Sequence, residues 1–220
     1  EEKKNPASHV KVSSGATAMA RRRIFTFHHL YSLAIILFLS GTGTVAVEDF
    51  SFVLFSVIYL YFISKVAFPA ARRRTDSMVM DPSSRVFRCY LLFGGIVGIV
   101  APAIYIFERA LEGDKEGIEP AARHLFLLAS QVVMEGVSFT GDFSLPVRAF
   151  VPVFYNSRRI FSLIDWVRSE ASNVEDGSPK RALAGKVLAG ANMAFWCYNL
   201  FFFLVPVYLP RVFRNYYSSQ

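Results

Sequence analysis

The sequence predicts an all-α protein, a polytopic bundle of about five transmembrane helices with one amphipathic helix at the membrane surface. Apolar residues make up 53% of the 220 residues and charged residues only 19%. That composition argues against an ordinary soluble domain and against extensive disorder. Several stretches are long and apolar enough to cross a hydrocarbon layer about 30 Å thick, for which a helix needs roughly 20 residues. Basic residues also concentrate in alternate connections, as they do in cytosolic loops.

The predicted bundle occupies residues 24–210. A basic tail, residues 1–23, precedes it and is polar enough to be flexible, and a short tail, residues 211–220, follows it. The connection between the first two spans is very short, which predicts an antiparallel hairpin. The five predicted spans cover residues 24–47, 50–68, 89–107, 121–140 and 182–209.

Charge asymmetry predicts the orientation. Of the 24 Lys and Arg residues, 18 lie in the N-terminal tail, between the second and third spans, and between the fourth and fifth. Only five lie on the opposite side, where the connections are acidic. The positive-inside rule then places the N-terminus in the cytosol and, with five spans, the C-terminus across the membrane. We expect an integral membrane protein of the endomembrane system, in the endoplasmic reticulum.

Residues 143–167 are apolar and aromatic but contain three arginines. An arginine at the bilayer centre costs about 2.5 kcal/mol or more on insertion scales. We therefore predict a helix over residues 152–168 that lies in the cytosolic interface, with its arginines toward anionic lipid headgroups. Two alternatives stay open: a helix that packs under the bundle, and a sixth span that would return the C-terminus to the cytosol. The candidate lipid or partner contacts are Arg148, Arg158, Arg159, Trp166 and Arg168.

Polar residues inside two predicted spans form a candidate polar path. In the fourth span, His124, Gln131 and Glu135 are separated by seven and four residues and share one helical face. An ionisable residue within a span is a functional candidate, because burying its charge is costly. Glu135 would bind a proton or a cation, or pair with a buried cation. Asn192 and Asn199 lie on one seam of the last span and complete the candidate path.

Three glycines are predicted to mediate helix packing. Gly94 and Gly98 form a Gly-x-x-x-Gly motif in the third span, and Gly185 begins the seam of the last span. Small residues let membrane helices approach closely. Contacts within one chain are the first interpretation, and contacts between copies are the alternative.

No enzyme signature occurs in the sequence. It contains no GxSxG, P-loop, HExxH or GxGxxG motif. No His, Cys, Asp or Glu group has the spacing of metal ligands. We therefore predict a non-enzymatic protein without a metal or a cofactor. Because the basic clusters adjoin membrane segments, they favour anionic lipid rather than nucleic acid as a partner.

Four runs carry a family resemblance. The chain resembles a plant family of multi-pass membrane proteins to which no reaction is assigned. The resemblance implies a plant source and an integral membrane location, and it supplies no catalytic residues. The runs are AIYIFERALEGDKEGI (103–118), LLASQVVMEGVSF (127–139), RAFVPVFYNSRRIFSLIDWVRSE (148–170) and ANMAFWCYNLFFFLVPVYLP (191–210).

These observations lead to one main functional hypothesis and two alternatives. The main hypothesis is a membrane scaffold or adaptor that contacts anionic lipid or a membrane-protein partner through its basic amphipathic helix. The first alternative is a small transporter or channel with a polar path around Glu135. The second is a lipid-modifying enzyme with His124 and Glu135 as acid–base groups. It is disfavoured because 11 residues of one helix separate them by about 16 Å.

Overall fold

The computed structural model describes residues 29–69, 84–140, 143–172 and 179–218, so the predicted tail 1–23 lies outside the described residues. The described chain is helical and contains no strand. The final helix, α6, runs without a break through three segments, Pro179–Tyr198, Asn199–Tyr208 and Leu209–Tyr217. The five earlier helices are α1 (His29–Gly41), α2 (Val47–Val66), α3 (Arg85–Leu111), α4 (Lys115–Thr140) and α5 (Leu145–Ser172).

Successive helices run alternately between two ends of the bundle. At one end, here called the near end, α2 and α6 finish and α4 connects to α5. The Ser144 hydroxyl donates to the Phe68 carbonyl at 2.7 Å, and the Tyr216 hydroxyl donates to the Pro69 carbonyl at 3.2 Å. At the opposite, far end, Arg109 of α3 pairs with Glu170 of α5 at 3.5 Å. The C-terminal helix therefore finishes beside the end of α2.

Two helices form the interior of the bundle and the others surround them. From Ala121 to Gln131, every residue of α4 except Arg123 is buried. The exposed large apolar side chains lie almost entirely on α1, α2, α3 and α6. On the inner helices α4 and α5, those exposed side chains are Val137, Phe139 and Phe161.

Three helices are long and apolar enough to cross a membrane by length and composition: Val47–Val66, Arg85–Leu111 and Lys180–Tyr217. The inner helices α4 and α5 do not meet that measure. Their sides contact other helices rather than the surroundings of the bundle, so they need not be apolar on every face. Hydropathy therefore identifies α2, α3 and α6, whose exposed faces are apolar, and does not identify α4 and α5 as candidate spans.

The predicted surface position of residues 152–168 is wrong. These residues belong to α5, which runs the length of the bundle against α2, α4 and α6. Arg158 is accommodated in the bundle because Asp49 of α2 pairs with it. The six described helices alternate between the two ends, and the C-terminal helix finishes beside the end of α2, which differs from the predicted five-span order. Three of them have the length and composition of membrane spans, and the number that cross a membrane stays a prediction.

Two helices contain π-helical segments next to prolines. Ile96–Val100 of α3 precedes Pro102, and Asn199–Tyr208 of α6 contains Pro206. Proline has no backbone N–H, so the normal hydrogen-bond ladder is interrupted there. A wider π-type turn lets the helix continue with an altered register. Both segments lie in helices that cover the interior.

The three predicted packing glycines lie against side chains of neighbouring helices. A Cβ atom on Gly98 would lie 2.8 Å from Trp196 and 3.1 Å from Leu128. A Cβ on Gly94 would lie 3.0 Å from Phe195, and Gly185 faces the carboxylate of Glu170. The glycines of α3 thus allow close contact with α6 in the same chain.

Replacing Gly98 with alanine should destabilise the protein, because Trp196 is held by its own hydrogen bond to Asn192 and cannot move freely. We expect a cost of about 1–3 kcal/mol, as for other overpacked positions. Gly95→Ala is the matched control, because nothing lies within 4 Å of a Cβ there. Thermal unfolding of the purified protein in detergent measures both. Equal unfolding temperatures for the two variants would contradict this packing.

Candidate functional site

Polar side chains from the inner helices and α6 meet around Trp196, and we call this group the central polar cluster. α4 and α5 place their polar residues on the faces that turn toward α6. Because α6 has asparagines on its inner seam, its polar groups face those of α4 and α5. The cluster consists of His124, Gln131, Glu135, Asn156, Arg159, Asn192, Trp196 and Asn199.

Arg159 is the charged centre of this cluster. Its side chain has no solvent exposure. The guanidinium carbon lies 3.8 Å from the centroid of the Trp196 ring, a cation–π contact. Its Nη2 donates to Asn156 Oδ1 at 3.3 Å, while Nε and Nη1 have no partner among the described residues. A buried cation is therefore only partly satisfied by the chain.

His124 lies between the two tryptophans of the chain. Its ring centroid is 6.0 Å from that of Trp166 and 6.2 Å from that of Trp196. Its Nε2 lies 3.1 Å from the carbonyl oxygen of Gly98. A carbonyl can only accept, so Nε2 carries the proton in this contact. The other ring nitrogen, Nδ1, is buried without a partner among the described residues.

The Glu135 carboxylate lies near Arg159 without touching it. The Gln131 side-chain amide donates to Glu135 Oε1 at 2.8 Å. Glu135 and Arg159 interact electrostatically, but they form no ion pair in the described structure. The carboxylate thus provides a counter-charge at a distance rather than a direct partner.

The two asparagines of α6 differ in their contacts: Asn192 forms hydrogen bonds, and the Asn199 side-chain carbonyl does not. Trp196 Nε1 donates to Asn192 Oδ1 at 3.3 Å, and the Asn192 amide donates to the Leu188 carbonyl at 3.1 Å. Asn156 Nδ2 donates to the Trp196 carbonyl at 3.3 Å. The side-chain carbonyl of Asn199 is buried without a partner in the described part of the chain.

All five residues of the predicted polar path face the interior of the bundle. Arg159 and Trp166, predicted to contact lipid or a partner, lie there as well, and neither has any exposure. The prediction that Arg159 and Trp166 contact lipid or a partner is therefore wrong. The sequence did contain the relevant signal: Asn156, Arg159, Leu163 and Trp166 recur at spacings of three and four, which marks one buried helical face.

A second polar site at the far end joins three helices through Asp49. The Asp49 carboxylate has no exposure. It accepts from Arg123 Nε at 2.7 Å and from Arg158 Nη2 at 2.8 Å. Arg123 also contacts Asp165 at 3.3 Å. Arg158, predicted to contact lipid, instead holds α5 against α2.

The other two predicted contacts on α5 differ in exposure. Arg148 is partly buried, donates to the Phe143 carbonyl at 3.0 Å and lies over the Phe139 ring. Arg168 is exposed. Their contact with lipid or a partner stays a prediction.

A third polar group closes the far end between α3 and α5. Glu170 accepts from the Tyr105 hydroxyl and pairs with Arg109, which also pairs with Asp114. Asp114 lies between α3 and α4. The backbone N–H of Gly117, at 2.9 Å, and then the Arg109 guanidinium lower the pKa of its carboxyl group. These contacts stabilise the bundle and place no reactive group beside another.

The described residues form no metal-binding group, and the surface groove that they form is apolar. Within the described ranges, no group of three or more His, Cys, Asp or Glu side chains is arranged to hold a metal ion. The most evident surface depression is an apolar groove of about 330 Å³ between α2 and α5. Its lining residues are Phe52, Phe55, Ser56, Tyr59 and Phe154.

Asp49→Asn should destabilise the protein, since it leaves two arginines without their shared carboxylate. Breaking a fully buried pair costs roughly 3–5 kcal/mol. We expect a smaller loss, because the arginine side chains are 15% and 24% exposed. The exposed neighbour Glu48 provides the control Glu48→Gln, which should unfold like the wild type. If both variants keep the wild-type unfolding temperature in detergent, Asp49 does not hold these helices together.

The comparisons with known proteins identify a family but no characterised relative. No curated protein and no solved structure matches the chain significantly. A family model described as a domain of unknown function (DUF7733) matches residues 25–217, which include all six described helices. That match covers most of the sequence. The chain therefore belongs to the DUF7733 family.

Proposed function

We propose that this chain is a non-enzymatic integral membrane scaffold or adaptor whose near end binds anionic lipid headgroups on the cytosolic side. The observation that carries the proposal is the separation of charge between the two ends of the bundle. The near end exposes cations without ion-pair partners, whereas the far end carries both signs and forms ion pairs.

The exposed cations of the near end define the lipid-contacting surface of this proposal. None of them forms an ion pair within the described residues. Every described acidic residue except Glu135 lies in the far half of the bundle. Arg148 adds a partly buried cation nearby. The exposed near-end cations are Lys65, Arg85, Arg88, Arg211 and Arg214.

The chemistry of this surface suits a membrane better than a soluble partner. Anionic lipids give the cytosolic leaflet a negative surface potential, which attracts basic residues next to membrane helices. Long Lys and Arg side chains reach the headgroups while their stems stay in the apolar region. Three helices with the length and composition of membrane spans support this location. A plant source and the endoplasmic reticulum remain part of the proposal.

The second candidate function is a small transporter or channel through the central polar cluster. The unpartnered buried atoms of Arg159, His124, Gln131 and Asn199 favour it, because groups along a transport path must be free to bind. Against it, Trp196 fills the cluster from α6 and packs closely against Gly98 and Arg159. We therefore propose the scaffold function first.

The test is lipid retention by the purified protein, measured by native mass spectrometry with phosphatidylserine and phosphatidylcholine. The near-end variant carries Arg85→Gln, Arg88→Gln, Arg211→Gln and Arg214→Gln. A basic residue near a charged membrane surface contributes about 1 kcal/mol, so the variant should lose at least about fivefold in phosphatidylserine affinity. Phosphatidylcholine retention should not change.

The matched control removes the same number of exposed cations from the far end: Lys115→Gln, Arg168→Gln, Lys180→Gln and Lys186→Gln. That control should keep the wild-type affinity for phosphatidylserine. An equal loss in both variants would show only a net-charge effect, and no loss in the near-end variant would contradict the proposal.

A further inference from the structure

The central polar cluster contains a buried positive charge for which the described residues supply no ion-pair partner. The partly buried arginines Arg109, Arg123 and Arg158 each contact a carboxylate. Arg159 has no exposure and contacts only the Asn156 amide oxygen and the face of Trp196. A fully buried charge without a partner is strongly disfavoured. Something besides the described side chains must therefore compensate it.

Unpartnered hydrogen-bond donors lie along the same face of α5. Arg159, Ser162 and Trp166 are separated by three and four residues, which places them on one side of the helix. Arg159 Nε and Nη1 and Ser162 Oγ are buried without a partner among the described residues, whereas Trp166 interacts with the Tyr105 hydroxyl. Arginine nitrogens can only donate. A ligand for this face must therefore be an acceptor.

Glu135 does not fill that role. Its carboxylate accepts from the Gln131 amide and influences Arg159 only from a distance. A water molecule would accept hydrogen bonds from these donors but would leave the positive charge of Arg159 without a direct counter-ion. A small anion satisfies both requirements at once.

We propose that Arg159, together with Ser162, binds a small monovalent anion of the halide type inside the bundle. This inference goes beyond the proposed scaffold function and does not depend on it, because the lipid surface lies at the near end. The site is built from one face of α5 and is closed by Trp196 of α6, which stacks on the guanidinium.

The chain provides its own optical probe for this site. It contains two tryptophans: Trp196 stacks on the Arg159 guanidinium, and Trp166 lies on the same face of α5, about two turns away. Their side chains are 6% and 0% exposed, respectively. Collisions with ions in bulk solution should therefore quench their fluorescence only weakly. A heavy halide bound at Arg159 would quench tryptophan fluorescence directly, and the quenching would saturate once the site is full.

The test measures tryptophan fluorescence of the detergent-purified protein during iodide titration at constant ionic strength, with gluconate as the balancing anion. The wild type should show quenching that saturates and that chloride reverses by competition. Arg159→Met should lose the saturable part. The matched control Arg168→Met removes an exposed arginine of the same helix and should keep it. Quenching by neutral acrylamide should be similar in all three proteins.

A second variant tests the sign of the charge effect. Glu135→Gln removes the carboxylate that partly offsets Arg159, so the iodide concentration for half-maximal quenching should fall at least about threefold. Should Arg159→Met fail to fold, Glu135→Gln and the wild type still decide the question. Quenching that never saturates, saturable quenching that survives in Arg159→Met, or weaker iodide binding in Glu135→Gln would each overturn the proposal. Occupation of the site by water alone would give the first of these results.

Discussion

The ion pairs between Asp49 and the two arginines Arg123 and Arg158 are the interaction on which this bundle depends. They connect α2, α4 and α5 at a carboxylate that has no solvent exposure. Arg123 and Arg158 are tolerated on the inner helices because Asp49 of a neighbouring helix pairs with both. Once those charges are partnered, α4 and α5 can be covered by helices whose outer faces are apolar. The inner pair and the outer four helices thus depend on each other.

The two ends of the bundle differ because their charges are used differently. At the far end, acidic and basic groups pair across helices, as in the contacts of Glu170 with Tyr105 and Arg109. At the near end, aromatic contacts hold the helices instead, with Phe68 packed against Phe150 and Phe213. Cations at the near end therefore remain available for a partner outside the bundle. This difference supports the proposed orientation, in which the near end lies on the cytosolic side.

Part of the architecture could be predicted from the sequence, because helices with apolar exposed faces carry a strong hydropathy signal. The apolar stretches of α2, α3 and α6 are evident in the composition alone. The position of α5 could not be predicted, since Arg158 finds its partner Asp49 109 residues earlier in the chain. No local pattern encodes that contact. Arg158 and Arg159 were predicted to contact lipid, whereas Arg158 pairs with Asp49 and Arg159 is buried.

The central polar cluster, too, could be predicted from the sequence only in part. The shared face of His124, Gln131 and Glu135 was predictable from helical spacing. The addition of Arg159 was not, because it requires α5 to run beside α4 rather than on the membrane surface. Which donors stay unpartnered, such as Arg159 Nη1, depends on side-chain packing among several helices and is visible only in three dimensions.

The central claim is that the six described helices alternate between the two ends of the bundle, with α5 running beside α4. Single cysteines at Thr44, Ser84 and Ser218, each in a chain with Cys89→Ser and Cys197→Ser, test it most directly. A membrane-impermeant maleimide is applied to sealed vesicles of known orientation. The account predicts that positions 84 and 218 are labelled from the same side and position 44 from the other. Labelling of positions 44 and 218 from one side would contradict it and restore a five-span arrangement.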